Sequence, residues 1–304
     1  ASFRSCIAAR SFFSFQDYPA QSARSSVLPN NYAQAIAREL SRSIIAHMAN
    51  KSWRRRLIIG VIVTFALGLL LTATVVLLSK PRPVGHTGPD ADELARAIER
   101  STHKEDWDRT GAVQWSFGGR NRHLWDRKRS LARVSWGKTQ VLLDLTSKSG
   151  QATQSGQRVA PKDERKLLDQ AYAKWVNDSF WLNPLAKLFD DGVTRSVVIQ
   201  QGGQQALLIS YNSGGLTPGD AYLWLIGKDG RPAGWQMWVS IIPLKGLGTS
   251  WAGWTQLATG AYIATDHIWS GIGLNTKITD LAGAATLAEL VPGPDPFAPL
   301  FGSP

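Results

Sequence analysis

The chain has 304 residues, a net charge of +11, 13 tryptophans and one cysteine. That length supports one or two domains with a sizeable core, and the lone thiol, Cys6, excludes disulfides and cysteine-ligated metal downstream. The charge would suit a nucleic-acid binder, but its placement argues against one: residues 1–56 carry +7, whereas residues 81–304 hold 24 Lys/Arg against 21 Asp/Glu.

Residues 1–47 are rich in Ser, Arg and Ala. They are expected to be an extension ahead of a true start at Met48, with a targeting segment as the alternative. Residues 33–47 have the spacing of a short helix. Residues 48–80 read as a signal anchor. Lys51 and Arg54–Arg56 precede a charge-free run from Leu57 to Leu78. At roughly 1.5 Å per residue it spans about 33 Å, enough for a hydrocarbon core of about 30 Å. Apolar residues surround its whole circumference, which a half-buried core helix would not show. The basic cluster predicts a cytoplasmic N-terminus and an exported C-terminal domain.

Residues 81–91 are Pro/Gly-rich and read as a linker. Asp90–Glu93 open a helix expected to end near Thr102. The period then changes to two: Val113, Trp115 and Phe117, then Leu124-Trp125, then Ala132, Val134 and Trp136, then Val141, Leu143 and Leu145. This predicts an antiparallel meander. Residues 146–160 are polar and read as a long hairpin tip. Pro161 starts a helix whose apolar positions, Leu167, Leu168, Ala171, Tyr172 and Trp175, fall at helical spacing. It is interrupted at Asn183-Pro184. Strands resume over 197–201, 206–211, 222–226 and 235–241, with Asp229-Gly230 turning the clearest hairpin. Further strands are expected over 250–258, 262–269 and 276–281, and the Pro-rich tail 291–304 is expected to be extended with no core. The fold class is therefore α+β, with about nine or ten antiparallel strands and two helical inserts. A single large curved sheet with helices on its concave side and a two-sheet sandwich both satisfy the pattern.

A helix leads into "GAVQWSF", then "HLWDRKRSLARVSW", then "VLLDL". After the helical insert come "NDSFWLNPLAKLFDDGV" and "GDAYLWLIGKDGRPAGWQMWV". This order resembles the LolA/LolB-like lipoprotein-carrier half-barrel superfamily, and most closely its uncharacterised bacterial members. The resemblance covers about residues 91–290 and rests on topology and motif order. It implies a half-barrel over 92–290 that binds an acyl chain, lipid or lipoprotein between sheet and helices, without catalysis. It also implies a bacterial inner membrane location with the domain in the periplasm. The anchor departs from the soluble carriers and puts shuttling in doubt.

Twelve of the tryptophans lie beyond the anchor. They read either as core and cross-strand pairs or as the lining of an apolar cavity. Some strands carry large apolar groups on both faces, which calls for cover on both or a ligand on one. On the cavity reading the lining residues are Trp115, Trp136, Trp224, Trp238 and Trp254. Arg127 and Arg129, in "WDRKR", would meet lipid headgroups, and Asp126 offers a local ion pair to either.

No motif specifies an enzyme, a metal or a cofactor. The five histidines, His47, His86, His103, His123 and His267, share no metal-ligand spacing. Ser179, Asp178 and His267 could compose a triad, but no nucleophile elbow accompanies them. The Gly-rich stretches "SFGGRNR" and "SGGLTPGD" open no helix and read as turns. The alternative to lipid binding is a structural or interaction protein of a cell-envelope complex, with its Trp-rich core closed.

Overall fold

A computed structural model describes residues 30–213 and 217–302. Most of the expected 1–47 extension therefore lies outside the described residues. The chain divides into two units, residues 1–70 and 71–304. Helix α1, Asn30–Leu78, includes the short helix expected over 33–47 and continues without a break. Its part Trp53–Leu78 is long and apolar enough to cross a membrane. Large apolar side chains from Leu57 to Leu78 are exposed.

After α1 come α2, Pro89–Ser101, and a short α3, Lys104–Arg109. Six strands follow: β1 Ala112–Phe117, β2 Asn121–Asp126, β3 Leu131–Trp136, β4 Thr139–Asp144, β5 Ser149–Gln154 and β6 Gln157–Arg158. Helix α4, Pro161–Leu182, interrupts them. Then come β7 Val193–Ile199, β8 Gln205–Tyr211, β9 Ala221–Ile226, β10 Pro232–Trp238 and β11 Leu247–Ser250. The chain closes with β12 Thr255–Gln256, β13 Tyr262–Ile263, β14 Asp266–Ile268, β15 Asn275–Ala284 and α5 Leu287–Leu290.

These make an α+β architecture with a large antiparallel sheet. Eight strands run in the order β14-β15-β1-β2-β3-β4-β5-β6, and five in the order β11-β10-β9-β8-β7. Bridges Thr249↔Trp269 and Ala252↔Asp266 bring the edge strands β11 and β14 together. The two sheets thus meet at these edges.

Helix α4 lies across β3, β4 and β5. Pro161 at its first position and Asp163 and Glu164 in its first turn suit a helix start. Leu168, Ala171, Trp175, Asp178 and Leu182 recur every three or four residues and form its sheet-facing stripe. Pro184 ends it, since the residue before a proline leaves helical backbone; Asn183 has φ −154° and ψ 74°, outside the helical region.

The strand expected over 262–269 is two short ones, β13 and β14, and the one expected over 235–241 ends at Trp238; three further segments differ from the sequence expectation. Residues 146–160 hold β5 and β6, not one long tip. Polar side chains suffice there because these strands form the sheet edge, and β5 satisfies the β4 backbone in full register, Thr139↔Gln154 to Asp144↔Ser149. The strand expected over 250–258 breaks after Ser250, where Trp251 turns inward and is buried. The tail is not free of a core. Phe297 is fully buried with Leu124, Leu131 and Leu142 on the sheet face away from α4, flanked by Leu287, Leu290, Val291 and Leu300.

The segment between α1 and α2 is also held. Trp238 Nε1 donates to Lys80 O at 2.9 Å, Arg82 bonds Ser210 Oγ, and His86 exchanges backbone hydrogen bonds with Val197 at 2.8 and 2.9 Å. Residues 80–86 thus form a strap over the second apolar cluster of the five-stranded sheet, Val198, Ala206, Leu208, Ala221, Leu223 and Trp238. A Cβ at Gly85 would sit 2.7 Å from Ser196 Cβ and 2.9 Å from Val197 O, so only glycine lets the strap lie this close.

Truncating the tail's anchor should be costly. Phe297→Ala is expected to destabilise the domain by about 3–5 kcal/mol, read as a lowered midpoint in chemical unfolding. An unchanged midpoint would show that the tail's packing contributes nothing.

Candidate functional site

The candidate site is the interior between α4 and the sheet. Helix α4 contributes to three adjoining clusters. Trp181 joins Leu207, Ile209, Tyr222, Trp224, Trp235, Met237 and Trp251 of the five-stranded side. Leu182 and Trp175 pack with Val113, Trp115 and Ile278. Leu168 and Ala171 pack with Ala132, Val134, Val141 and Leu143.

The rings stack closely. Trp235 has Trp181, Trp224 and Trp251 each at a centroid distance of 4.9 Å, and His267 lies 4.4 Å from Trp251 and 5.3 Å from Trp181. Phe180 bridges Tyr211, Tyr222 and Trp235. Aromatic pairs at such distances gain about 0.5–1.5 kcal/mol beyond their burial. The interior is closed in this arrangement, with Trp115, Trp224, Trp235 and Trp251 at most 2% exposed. Two surface hollows of about 260 and 570 Å³ are lined mainly by polar residues and lie outside it.

This packing leaves polar atoms over. The indole Nε1 atoms of Trp115, Trp125, Trp175, Trp224, Trp235 and Trp251, His123 Nδ1, His267 Nε2 and the Tyr211 hydroxyl are buried without a protein partner. Each such group costs about 1–3 kcal/mol when nothing pairs with it, and native interiors hold few. Burial also raises the Tyr211 and Tyr222 phenols above their ordinary value, so both stay neutral.

One polar cluster ties α4 to the sheet. Asp178 Oδ2 accepts from Asn121 Nδ2 at 2.7 Å and faces His123 Nε2 at 2.7 Å. Its Oδ1 accepts from Asn177 Nδ2 at 2.8 Å. Lys174 Nζ donates to Asn121 Oδ1 at 3.2 Å. The His123 and Asp178 side chains are 0% and 2% exposed, and the Trp115 ring stacks on the imidazole at 4.5 Å. The pair therefore has no face open to a substrate. Asp178 meets His123 and not His267, and Ser179 Oγ donates to Val176 O, so the triad considered from sequence is not assembled. Among the described residues no cluster of His, Cys, Asp or Glu could hold a metal.

The sequence-selected tryptophans divide. Trp115 and Trp224 are in the interior, 1% and 0% exposed. Trp136 and Trp254 are half-buried at its margins, beside Lys174 and Arg231. Trp238 lies on the opposite face, under the strap. The pairing Trp235↔Trp224 fixes this, because Trp238 is three residues on and points the other way. Trp175, Trp181, Trp235 and Trp251 were not selected, yet each lies in the interior or borders it. Arg127 bonds the Trp107 and Thr110 carbonyls and covers the Trp107 ring at 4.3 Å. Arg129 pairs with Asp126 and Asp295, which holds the Asp295 carboxyl below the usual carboxylate range. Both guanidiniums thus have partners within the protein. A scan against protein-family models and a search of curated proteins returned no match.

Two outcomes test this geometry. Burial pushes the His267 imidazole down to about 4. The unfolded chain then binds a proton that the folded one refuses, so stability is full above pH 6.5 and falls toward pH 4, by about 3 kcal/mol at most. His267→Leu should flatten that slope in melts taken from pH 7 to pH 4. Separately, Asp178→Ala should cost about 2–4 kcal/mol, because it strands His123 and Asn121 in the interior. A midpoint within error of the parent would remove Asp178 as the tie between α4 and the sheet.

Proposed function

We propose that the chain is a single-pass membrane protein, non-enzymatic, whose second unit is an exported half-barrel that receives an acyl chain or lipid between its sheet and α4. The charge-free part of α1, Leu57–Leu78, with Arg54–Arg56 immediately before it, supports the anchor and the periplasmic, inner-membrane orientation. The edge-to-edge order of the two sheets, with α2 and α4 on one face, supports the LolA/LolB-like half-barrel.

The observation that carries the lipid reading is the set of buried indole N–H donors without partners. A core selected for stability alone uses aliphatic side chains and leaves no donor unpaired. Here the unpaired donors gather in the interior that α4 closes. An incoming lipid brings CH₂ groups, each worth about 0.8 kcal/mol on burial, and carbonyl oxygens that can accept from indoles. Since the interior is shut, uptake requires α4 to lift off the sheet. The ring-to-ring packing of Trp224, Trp235 and Trp251 favours a second reading, an envelope interaction protein whose interior never opens.

Tryptophan quenching separates the two. The full chain carrying Trp53→Phe, in detergent, is titrated with a brominated fatty acid. The lipid reading expects saturable quenching of blue-shifted emission, competed by the unbrominated acid. Emission unaffected by the brominated acid would favour the closed core.

A further inference from the structure

We infer that two adjacent turns of the domain, Val239–Gly246 and Ser270–Leu274, rest in the interfacial layer of the bilayer that holds α1. This rests on the anchor reading given above. The observation is where these turns sit. Helix α1 ends at Leu78, and the next two residues are bonded to the first turn: Lys245 N donates to Ser79 Oγ at 3.1 Å, and Lys80 N donates to Lys245 O at 2.9 Å. A Cβ at Gly246, whose φ is +73°, would meet Lys80 Cβ at 2.7 Å, so the approach depends on glycine. The second turn is joined to the first through β11, with Ser270 N donating to Gly248 O at 2.9 Å.

Their side chains suit that layer. The first turn's one charge, Lys245, is directed inward to the Val239 and Ile242 carbonyls at 2.5 and 3.0 Å. Its Ile241 is turned out and is 71% exposed, and on the second turn Ile272 and Leu274 are 67% and 60% exposed. Ile242 and Leu244 are half-buried beside them. Among the described residues beyond Lys80, the other exposed large apolar side chains, Val84, Ile199, Ile268 and Phe301, do not lie on these two turns. Grouped apolar exposure marks a surface that meets an apolar partner. The partner here is the lipid itself, because a helix that leaves the hydrocarbon at Leu78 sets anything bonded to Ser79 and Lys80 at headgroup level. Gly118 N donates to Lys277 O at 2.8 Å, so the turn bearing the exposed Arg120 lies along the same edge, where anionic headgroups would attract it.

Site-directed fluorescence tests this on the full chain. In a Cys6→Ser background, a fluorophore is attached to Ile241→Cys, Ile272→Cys, Leu67→Cys or Lys228→Cys. Leu67 lies within the span, and Lys228 is in the β9–β10 turn, at the end of β10 opposite to Val239–Gly246. Each is reconstituted in phosphatidylcholine/phosphatidylglycerol vesicles with and without nitroxide-bearing lipid. The inference expects loss of emission at Leu67, Ile241 and Ile272 and none at Lys228. Quenching at Leu67 with Ile241 and Ile272 behaving like Lys228 would overturn the inference and leave the anchor standing. No quenching at Leu67 would overturn both.

Discussion

The second unit depends on how α4 is held against the sheet. Its stripe of Leu168, Ala171, Trp175, Asp178 and Leu182 closes three clusters at once, and Trp181 reaches across to the five-stranded side. The only buried carboxylate in that stripe is matched by His123 and Asn121. Polar matching inside an apolar interface fixes register, because any slide of the helix would strand the carboxylate. Apolar packing alone would tolerate such a slide. The tie therefore decides which rings of the sheet meet Trp175 and Trp181.

The five-stranded sheet is apolar on both faces, and it is covered on both. Helices α2 and α4 cover one with Ile98, Leu94 and Trp181, and the strap covers the other over Leu208, Leu223 and Trp238. The eight-stranded sheet repeats the arrangement, with α4 on one face and the tail's Phe297 on the other. Segments that would pass for connector and appendage thus contribute to the two outer faces. Each is specified by few residues: Gly85 and Trp238 for the strap, Phe297 and the Arg129–Asp295 pair for the tail.

That economy explains what the sequence did and did not reveal. The apolar span, the α4 stripe and the hairpin around Asp229-Gly230 were legible because each is periodic over many residues. The strap and the tail were not, since one tryptophan or one phenylalanine in a Pro-rich stretch has no period. The Asp178–His123 tie joins residues 55 apart, and nothing local to either names the other. A partial signal existed in Asp178 itself, a carboxylate on an otherwise apolar stripe. Alternation along β10 was also enough to separate Trp238 from Trp235, yet both faces being apolar hid which side each would take. The aromatic interior was readable as composition, but its unpaired indole donors follow from the packing of α4 and not from any motif.

The strap has a consequence for where the domain can act. Eight free residues from Ser79 to His86 could extend over about 26 Å, giving a domain on such a leash a wide volume to search. Bonded instead to Lys245, Trp238, Ser210 and Val197, they belong to the domain's own fold and are not a free tether. With α1 set in a bilayer, as proposed, residues 79–86 would add no reach of their own, because they are already part of the domain's folded surface.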